Sequence, residues 1–243
     1  MTTFLPTPAS ARVEIKNLIL ANLPEAQRDE LLAHVVPVEL PRGFRLLEPN
    51  QTIEYIHFVN HGLISLDVFT MNGDSVEVGV IGYEGITGVA CLLGQKNFPH
   101  LAIVQMAGSA LRIRASVLQA EFAKGGKFLQ LIHAFLYTQY VQTSQSVLCN
   151  RMHEVEARLA RWMLMSSDRT ESTSLDLTQE FLAQMLGTRR SSVTVAAGKL
   201  QESGLIQYAR GRIQILDRKR LEGVACECYQ IVRDNYLRIY KTK

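Results

Sequence analysis

Long apolar runs are missing from this 243-residue chain. Nothing in it approaches the roughly 18 consecutive apolar residues of a membrane span. The opening MTTFLPTPASAR has no basic segment followed by an apolar one. Both absences read as a cytoplasmic protein with no membrane partner. Cysteine is scarce: Cys91, Cys149, Cys226 and Cys228 include no Cys-x-x-Cys pair, so they read as reduced thiols and not as a disulfide framework. Histidine occurs six times, at positions 34, 57, 61, 100, 133 and 153, never as His-x-His. That spacing argues against a β-roll enzyme, which needs such a pair plus an acid and a further histidine on one metal. No repeat of 20 to 50 residues is present.

What is present fits a globular protein of two domains: 20% charged residues and a mean hydropathy of +0.03. The net charge is only +3 but is unevenly placed. Residues 178–243 hold 12 Lys and Arg against 6 Asp and Glu, a net of +6, while residues 1–177 carry a net of −3. A basic C-terminal part attached to a mildly acidic remainder is the distribution expected of a nucleic-acid-contacting domain joined to one with another task.

The pattern along the chain predicts disorder over residues 1–10 and short helices over Val13–Leu23 and, with Pro24 at a first turn, Glu25–His34. From Val36 to about Arg114 it turns to short β-rich runs, YIHFV, LISLDVF, VEVGVIG, AIVQM and ALRIRA. These are punctuated by Asn60-His61-Gly62, Asn72-Gly73-Asp74 and Ala107-Gly108, which together read as a small β-roll. Ser116 is placed to cap a helix ending at Ala123. Residues 127–153, free of Gly and Pro, predict one helix of roughly 40 Å. Leu129, Ile132, Leu136 and Tyr140, then Val141, Ser144, Val147 and Leu148, form a stripe at spacings of three and four. That stripe reads as the seam of a two-stranded coiled-coil dimer. Glu154 caps the next helix, Asp168–Ser174 reads as a linker, and one helix follows Asp217. The expected division is 1–126, 127–153 and 154–243, an α+β chain.

The segment LTQEFLAQMLGTRRSSVTVAAGKLQESGLI, residues 177–206, carries two helical patterns separated by Gly187. Thr178 caps the first and Thr188 the second, and Gly187 supplies a left-handed turn. In the second helix Val193, Ala196, Ala197 and Leu200 point one way, while Ser191, Thr194, Val195 and Gly198 point the other, flanked by Arg190 and Lys199. A face that small suits the major groove of duplex DNA, with Arg190 and Ser191 at bases and Arg189 and Ser192 on phosphates. Thr178 and Gln179 begin the supporting helix. LIQYARGRIQIL then reads as a hairpin whose tip carries Arg210 and Arg212 toward phosphates.

A β-roll, a long helix and a winged helix-turn-helix in this order resemble the Crp/Fnr family of bacterial transcription regulators. The motifs that carry the resemblance are HEVEARLARWMLM (153–165), residues 177–206 and the hairpin after them. The resemblance implies a cyclic-nucleotide-binding-like jelly roll, a homodimer on a palindromic site, a small-molecule effector and action through RNA polymerase. The family's cyclic-nucleotide members carry Gly-Glu-Leu/Ile followed by Arg-Ser/Thr; here Gly82-Tyr83-Glu84-Gly85-Ile86-Thr87-Gly88 and Phe98-Pro99-His100-Leu101 stand in their places. Gly82, Glu84, Gly85, Thr87, Gly88 and His100 are therefore the candidate effector pocket, and cyclic AMP or GMP is not the expected ligand, because a buried cyclic phosphate lacks its cation. Iron–sulfur sensing is not expected either, since the first cysteine is Cys91. No cofactor is evident. His57 and His61 lie too far apart along a strand to share a metal. Cys149 and His153 share a helical face but read as a buried thiol and a flank histidine, and Cys226-Glu-Cys228, placed on one helix, diverges as a chelate. No metal set is thus identified. A DNA-binding architectural protein without an effector remains the alternative.

Overall fold

A computed structural model describes residues 14–240; the predicted disorder of residues 1–10 and the predicted helix start at Val13 lie outside them. Two compact units are formed, one from residues up to Leu66 together with Val80–Tyr137, the other from Asp67–Gly79 together with residues from Thr138 onward.

The first unit opens with α1 (Leu18–Ala21) and α2 (Glu25–Leu32). The helix predicted over 13–23 shrinks to four residues because the chain before it is tied to a strand. The backbone N–H groups of Lys16 and Asn17 both donate to Asn60 Oδ1, at 3.1 and 3.0 Å. Asn17, fully buried, caps α1 by accepting from Ile19 and Leu20, while its amide donates to the carbonyls of Val59 and Gly85.

The strands are β1 (Val36–Leu40), β2 (Arg45–Leu47), β3 (Tyr55–Phe69), β4 (Ser75–Ile81) and β5 (Leu101–Arg114), in the order β1-β5-β3-β4, with β2 also on β5. Two predicted turns are absent. Asn60-His61-Gly62 lies inside β3 and Ala107-Gly108 inside β5, each a single long strand. The glycines serve the approach of these strands instead: a Cβ on Gly108 would stand 2.0 Å from His61 O, and one on Gly62 2.5 Å from Met106 O. The Asn72-Gly73 turn forms as predicted, with Gly73 at φ 90° and Thr70 N–H bonded to Asp74 O.

Helix α3 (Ala115–Ala123) follows. It begins one residue before Ser116, which therefore sits in the first turn and is no cap; Ala115 N–H is held by Glu54 O at 2.9 Å. Ile56, Phe58, Ile64, Leu111, Phe128 and Phe135 are buried at the centre of this unit.

Helix α4 (Gly126–Met152) runs from the first unit into the second. Then come α5 (Val155–Thr170), β6 (Ser174–Asp176), α6 (Gln179–Met185), α7 (Arg190–Glu202), β7 (Ile206–Ala209), β8 (Arg212–Ile215), α8 (Arg218–Val224) and α9 (Cys228–Tyr240). The predicted linker 168–174 is mostly ordered structure: α5 extends through Thr170, and Ser174–Asp176 pairs with β8 to give a sheet of order β6-β8-β7. A three-residue strand is too short to display a period of two in sequence.

The single helix predicted after Asp217 is two helices, interrupted at Ala225–Glu227, where Ala225 turns extended (φ −63°, ψ 145°). A network fixes both on α5. Arg218 donates to Asp168 and to the Tyr229 hydroxyl, which itself donates to Asp168 Oδ2 at 2.9 Å.

His57, on β3, is 3% exposed and its Nδ1 lies 3.0 Å from Thr87 Oγ1. Burial, aided by the charge of Arg112, lowers its pKa to about 3. The unfolded chain binds this proton below about pH 6.5 and the folded one does not. Stability due to His57 is therefore complete above that pH and lost as pH falls toward 3. Between pH 6 and 4, urea titrations should show wild type losing about 1.4 kcal/mol per pH unit more than His57→Gln. Parallel pH profiles for the two proteins would contradict this.

Candidate nucleic-acid interface

The second unit builds a winged helix-turn-helix from local rules. Thr178 caps α6, its Oγ1 accepting from Phe181 N–H at 3.2 Å. Gly187, at φ 54°, makes the turn. The cap of α7 is Arg189 and not Thr188; helical geometry starts one residue later than the Thr188 reading required. Val193, Ala196, Ala197 and Leu200 are buried in the unit's core, while Ser191, Thr194, Val195 and Lys199 are exposed and Ser192 and Gly198 half-buried. The face of α7 left outside is thus small and polar, with Val195 the one large apolar side chain on it, 61% exposed.

Arg189 and Arg190 stand exposed at the N-terminal end of α7, where the helix dipole favours anions. Arg190 is 4.0 Å from Glu180 of α6, both side chains largely in solvent. Such a pair holds little energy and leaves the guanidinium available. Thr194 Oγ1 lies within hydrogen-bonding distance of both Gln179 Oε1 (2.9 Å) and Arg190 O (3.0 Å), so α6 and α7 are linked on the outer side. Lys199 pairs with Glu156 of α5 at 3.6 Å.

The wing differs from its prediction in detail. Its turn is Arg210-Gly211, both with positive φ (51° and 76°), as a two-residue hairpin requires. Ala209 and Arg212 belong to the strands. Arg210 stands exposed at the tip. Arg212 does not share that position: its Nε bonds Asp176 Oδ1 on β6 at 2.6 Å, and that carboxylate raises its pKa through the hydrogen bond and its charge. A cleft lined by Thr178, Gln179, Arg190, Tyr208, Arg210 and Gly211 runs between α7 and the wing. Tyr208 was not singled out from sequence, where it looks like any strand aromatic. Its hydroxyl donates to Leu177 O at 3.0 Å, and its pKa is raised by burial, with Arg190 opposing.

The candidate effector residues lie in the first unit. Gly82, Glu84, Gly85 and Thr87 are buried and Gly88 is half-buried. Glu84, 1% exposed, turns its carboxylate back to accept from Gly82 N–H at 3.1 Å. A Cβ on Gly85 would stand 2.2 Å from the Phe135 ring. Thr87 meets His57, and half-buried His100 packs edge-on against Phe98 at 4.1 Å; burial lowers the pKa of His100.

Of the predicted dimer stripe, Ile132 is fully buried within the chain and belongs to the core, since it follows Phe128 at i+4 on the inward face. Leu129, Leu136 and Val141 are half-buried, and Tyr140, Ser144, Val147 and Leu148 are exposed.

With this geometry in hand, comparison with known proteins places the second unit. Residues 157–224 match the Crp-like helix-turn-helix domain. The chain is 26% identical over 202 residues to the transcriptional regulator SdrP of Thermus thermophilus, covering 81% of this chain and 90% of that protein. It is 21% identical over 189 residues to the global nitrogen regulator of Synechococcus elongatus, covering 74% and 85%. Among solved structures, FixK2 of Bradyrhizobium japonicum superposes with a TM-score of 0.68 at 14% identity, covering 79% of this chain and 98% of that one. The c-di-GMP-responsive regulator CLP of Xanthomonas campestris gives 0.66 at 17%, covering 80% and 100%.

The fold and interface are those of a DNA-binding regulator with a winged helix-turn-helix. Residues 157–224 are a Crp-like helix-turn-helix domain, and over most of its length the chain is similar to transcriptional regulators. DNA is the partner of its second unit, and among the described residues no helix is long and apolar enough to cross a membrane.

The two wing arginines should separate in a salt titration of DNA affinity. Arg210→Ala should weaken binding to all sequences alike and reduce the salt slope by about one. Arg212→Ala should change that slope much less, because Asp176 already compensates its charge. Equal slopes for the two variants would contradict the assignment.

Proposed function

We propose that this regulator works as a homodimer on a palindromic duplex site, α7 of each subunit entering successive major grooves, and that cyclic AMP is not its effector. The observation that carries the dimer is the outer face of α4. Tyr140, Val147 and Met152 are 72, 68 and 71% exposed, with Tyr137 and Leu148 beside them at 54 and 43%. An apolar stripe at spacings of three and four on a 27-residue helix is what a parallel pair about a two-fold axis buries. Such a pair separates two recognition helices by one turn of DNA, about 34 Å.

Arg190 is the side chain that reads a guanine bidentately, worth about 1–3 kcal/mol of discrimination. Ser191, Thr194 and Val195 offer weaker base contacts, and Arg189 and Ser192 hold phosphates. Recruitment or obstruction of RNA polymerase at such a site, in the cytoplasm, is the regulatory output. Against cyclic AMP stand the inward carboxylate of Glu84 and the ring of Phe135 against Gly85. If a small-molecule effector exists, it uses other contacts; the alternative of an effector-independent DNA-binding protein is favoured by the same packing.

At micromolar concentration sedimentation should give a dimer, and Tyr140→Glu with Val147→Glu should give monomers with DNA affinity lowered at least tenfold; a wild-type monomer sinks the proposal. Binding-site selection should return a palindrome with one conserved guanine per half-site, distinct from TGTGA, and that preference should vanish in Arg190→Ala. Selection of TGTGA would overturn the reading of the outer face of α7, and a uniform loss of affinity in the variant would show that Arg190 reads no base. Calorimetry with cyclic AMP should show no binding, whereas micromolar affinity with enhanced DNA binding would overturn the effector reading.

A further inference from the structure

Three of the four cysteines and one histidine, set aside in sequence as unrelated, converge in the second unit. Cys149 lies in the last turns of α4, and His153 follows that helix with its N–H still bonded to Cys149 O at 3.2 Å. Cys226 lies in the break between α8 and α9, and Cys228 is the first residue of α9. Because Cys226 and Glu227 are outside any helix, the divergence argued for i and i+2 on a helix does not apply. The donor atoms of Cys149, His153, Cys226 and Cys228 all lie within 4.8 Å of one another. Cys149 Sγ is 3.5 Å from Cys226 Sγ, and Cys228 Sγ is 3.7 Å from His153 Nδ1. A tetrahedral zinc centre, with zinc–sulfur bonds of about 2.3 Å and zinc–nitrogen bonds of about 2.0 Å, sets its ligand atoms about 3.5–3.8 Å apart.

We propose that Cys149, His153, Cys226 and Cys228 form a closed Cys3His site for one zinc-type divalent cation, which clamps the α8–α9 break to the end of α4. The surroundings suit this. His153 turns Nδ1 inward, and its Nε2 lies 3.2 Å from Glu227 Oε1, the carboxylate–histidine pairing that orients an imidazole ligand. Cys149 and Cys228 are fully buried and Cys226 nearly so, with Ala157 packed on them, so all four positions around the ion are protein and none is left for a reacting water. That makes the site structural.

Three thiolates and a neutral imidazole around a dication leave one negative charge. Arg161, 6% exposed, acts electrostatically on all three thiols and offsets it. The buried Nε–H groups of Arg158 and Arg161 have no hydrogen-bond partner among the described residues, and both guanidinium charges act on Cys149. Binding forms three metal–sulfur bonds and one metal–nitrogen bond and releases the protons still carried by the thiols, with no change of oxidation state. In the metal-free state the hydrogen bond from Cys226 holds the Cys149 thiol below the usual range while Cys226 is pushed up.

The test is cobalt titration of the reduced, chelator-treated full chain. Thiolate-to-cobalt charge transfer and tetrahedral ligand-field bands should saturate at one equivalent per chain, and one equivalent of zinc should abolish them. Zinc should also raise Tm by roughly 5–15 °C. Cys226→Ser and the milder His153→Gln should lose or shift the bands, whereas Cys91→Ser, in the first unit, should keep them. The proposal is overturned if wild type shows no bands, if they survive in Cys226→Ser, or if they vanish in Cys91→Ser. It is likewise overturned if the only chemistry found is a Cys149–Cys226 disulfide in oxidised protein.

Discussion

One unbroken helix has to satisfy two cores. Over its first turns α4 buries Phe128, Leu131, Ile132 and Phe135 in the first unit, and near its end it buries Cys149 in the second. With 3.6 residues per turn, the positions committed inward are fixed, and what remains of the apolar sequence must lie outside. Tyr140, Val147 and Met152 are that remainder. The stripe was visible in the sequence, but spacing alone could not divide it between core and surface. Ile132 went to the core because Phe128 and Phe135 place that face inward.

The DNA-facing part depends on shorter-range causes. A threonine cap, a left-handed glycine and a run of small residues fix α6 and α7, while burial of Val193, Ala196, Ala197 and Leu200 sets the rotation of α7. Arg190 and Arg210 consequently line one cleft although they are 20 positions apart in the chain. Arg212, two residues beyond Arg210, is removed from that role by a partner strand, since alternate residues of a strand follow its pairing and not the tip of the turn.

In the first unit the glycines between β4 and Val89 serve close packing. Glycine in the Gly82–Gly88 segment could serve either a bound anion or a close-packed core. Here Gly85 lies under Phe135, and Glu84 folds onto its own backbone. The end of α4 shows the opposite outcome. Residues with no shared motif are drawn together by the break between α8 and α9 and by the Arg218–Asp168–Tyr229 network that holds both helices on α5.

By itself the sequence determined the succession of β-rich part, long helix, helix-turn-helix and hairpin, the boundaries of α4 to within a residue, the Thr178 cap and the Gly187 turn, and the face of α7 that stays outside. All of these follow from periodicity and from residues whose conformational preferences act over a few positions. Only the tertiary structure decided that the glycines at 62 and 108 join two strands and do not end them, that β6 completes the wing, and that Arg212 faces Asp176. It also decided that Cys149 and His153 meet Cys226 and Cys228 across 77 residues of chain. Those outcomes rest on contacts between distant segments, whose energies depend on the approach of whole elements and leave no period in the local sequence.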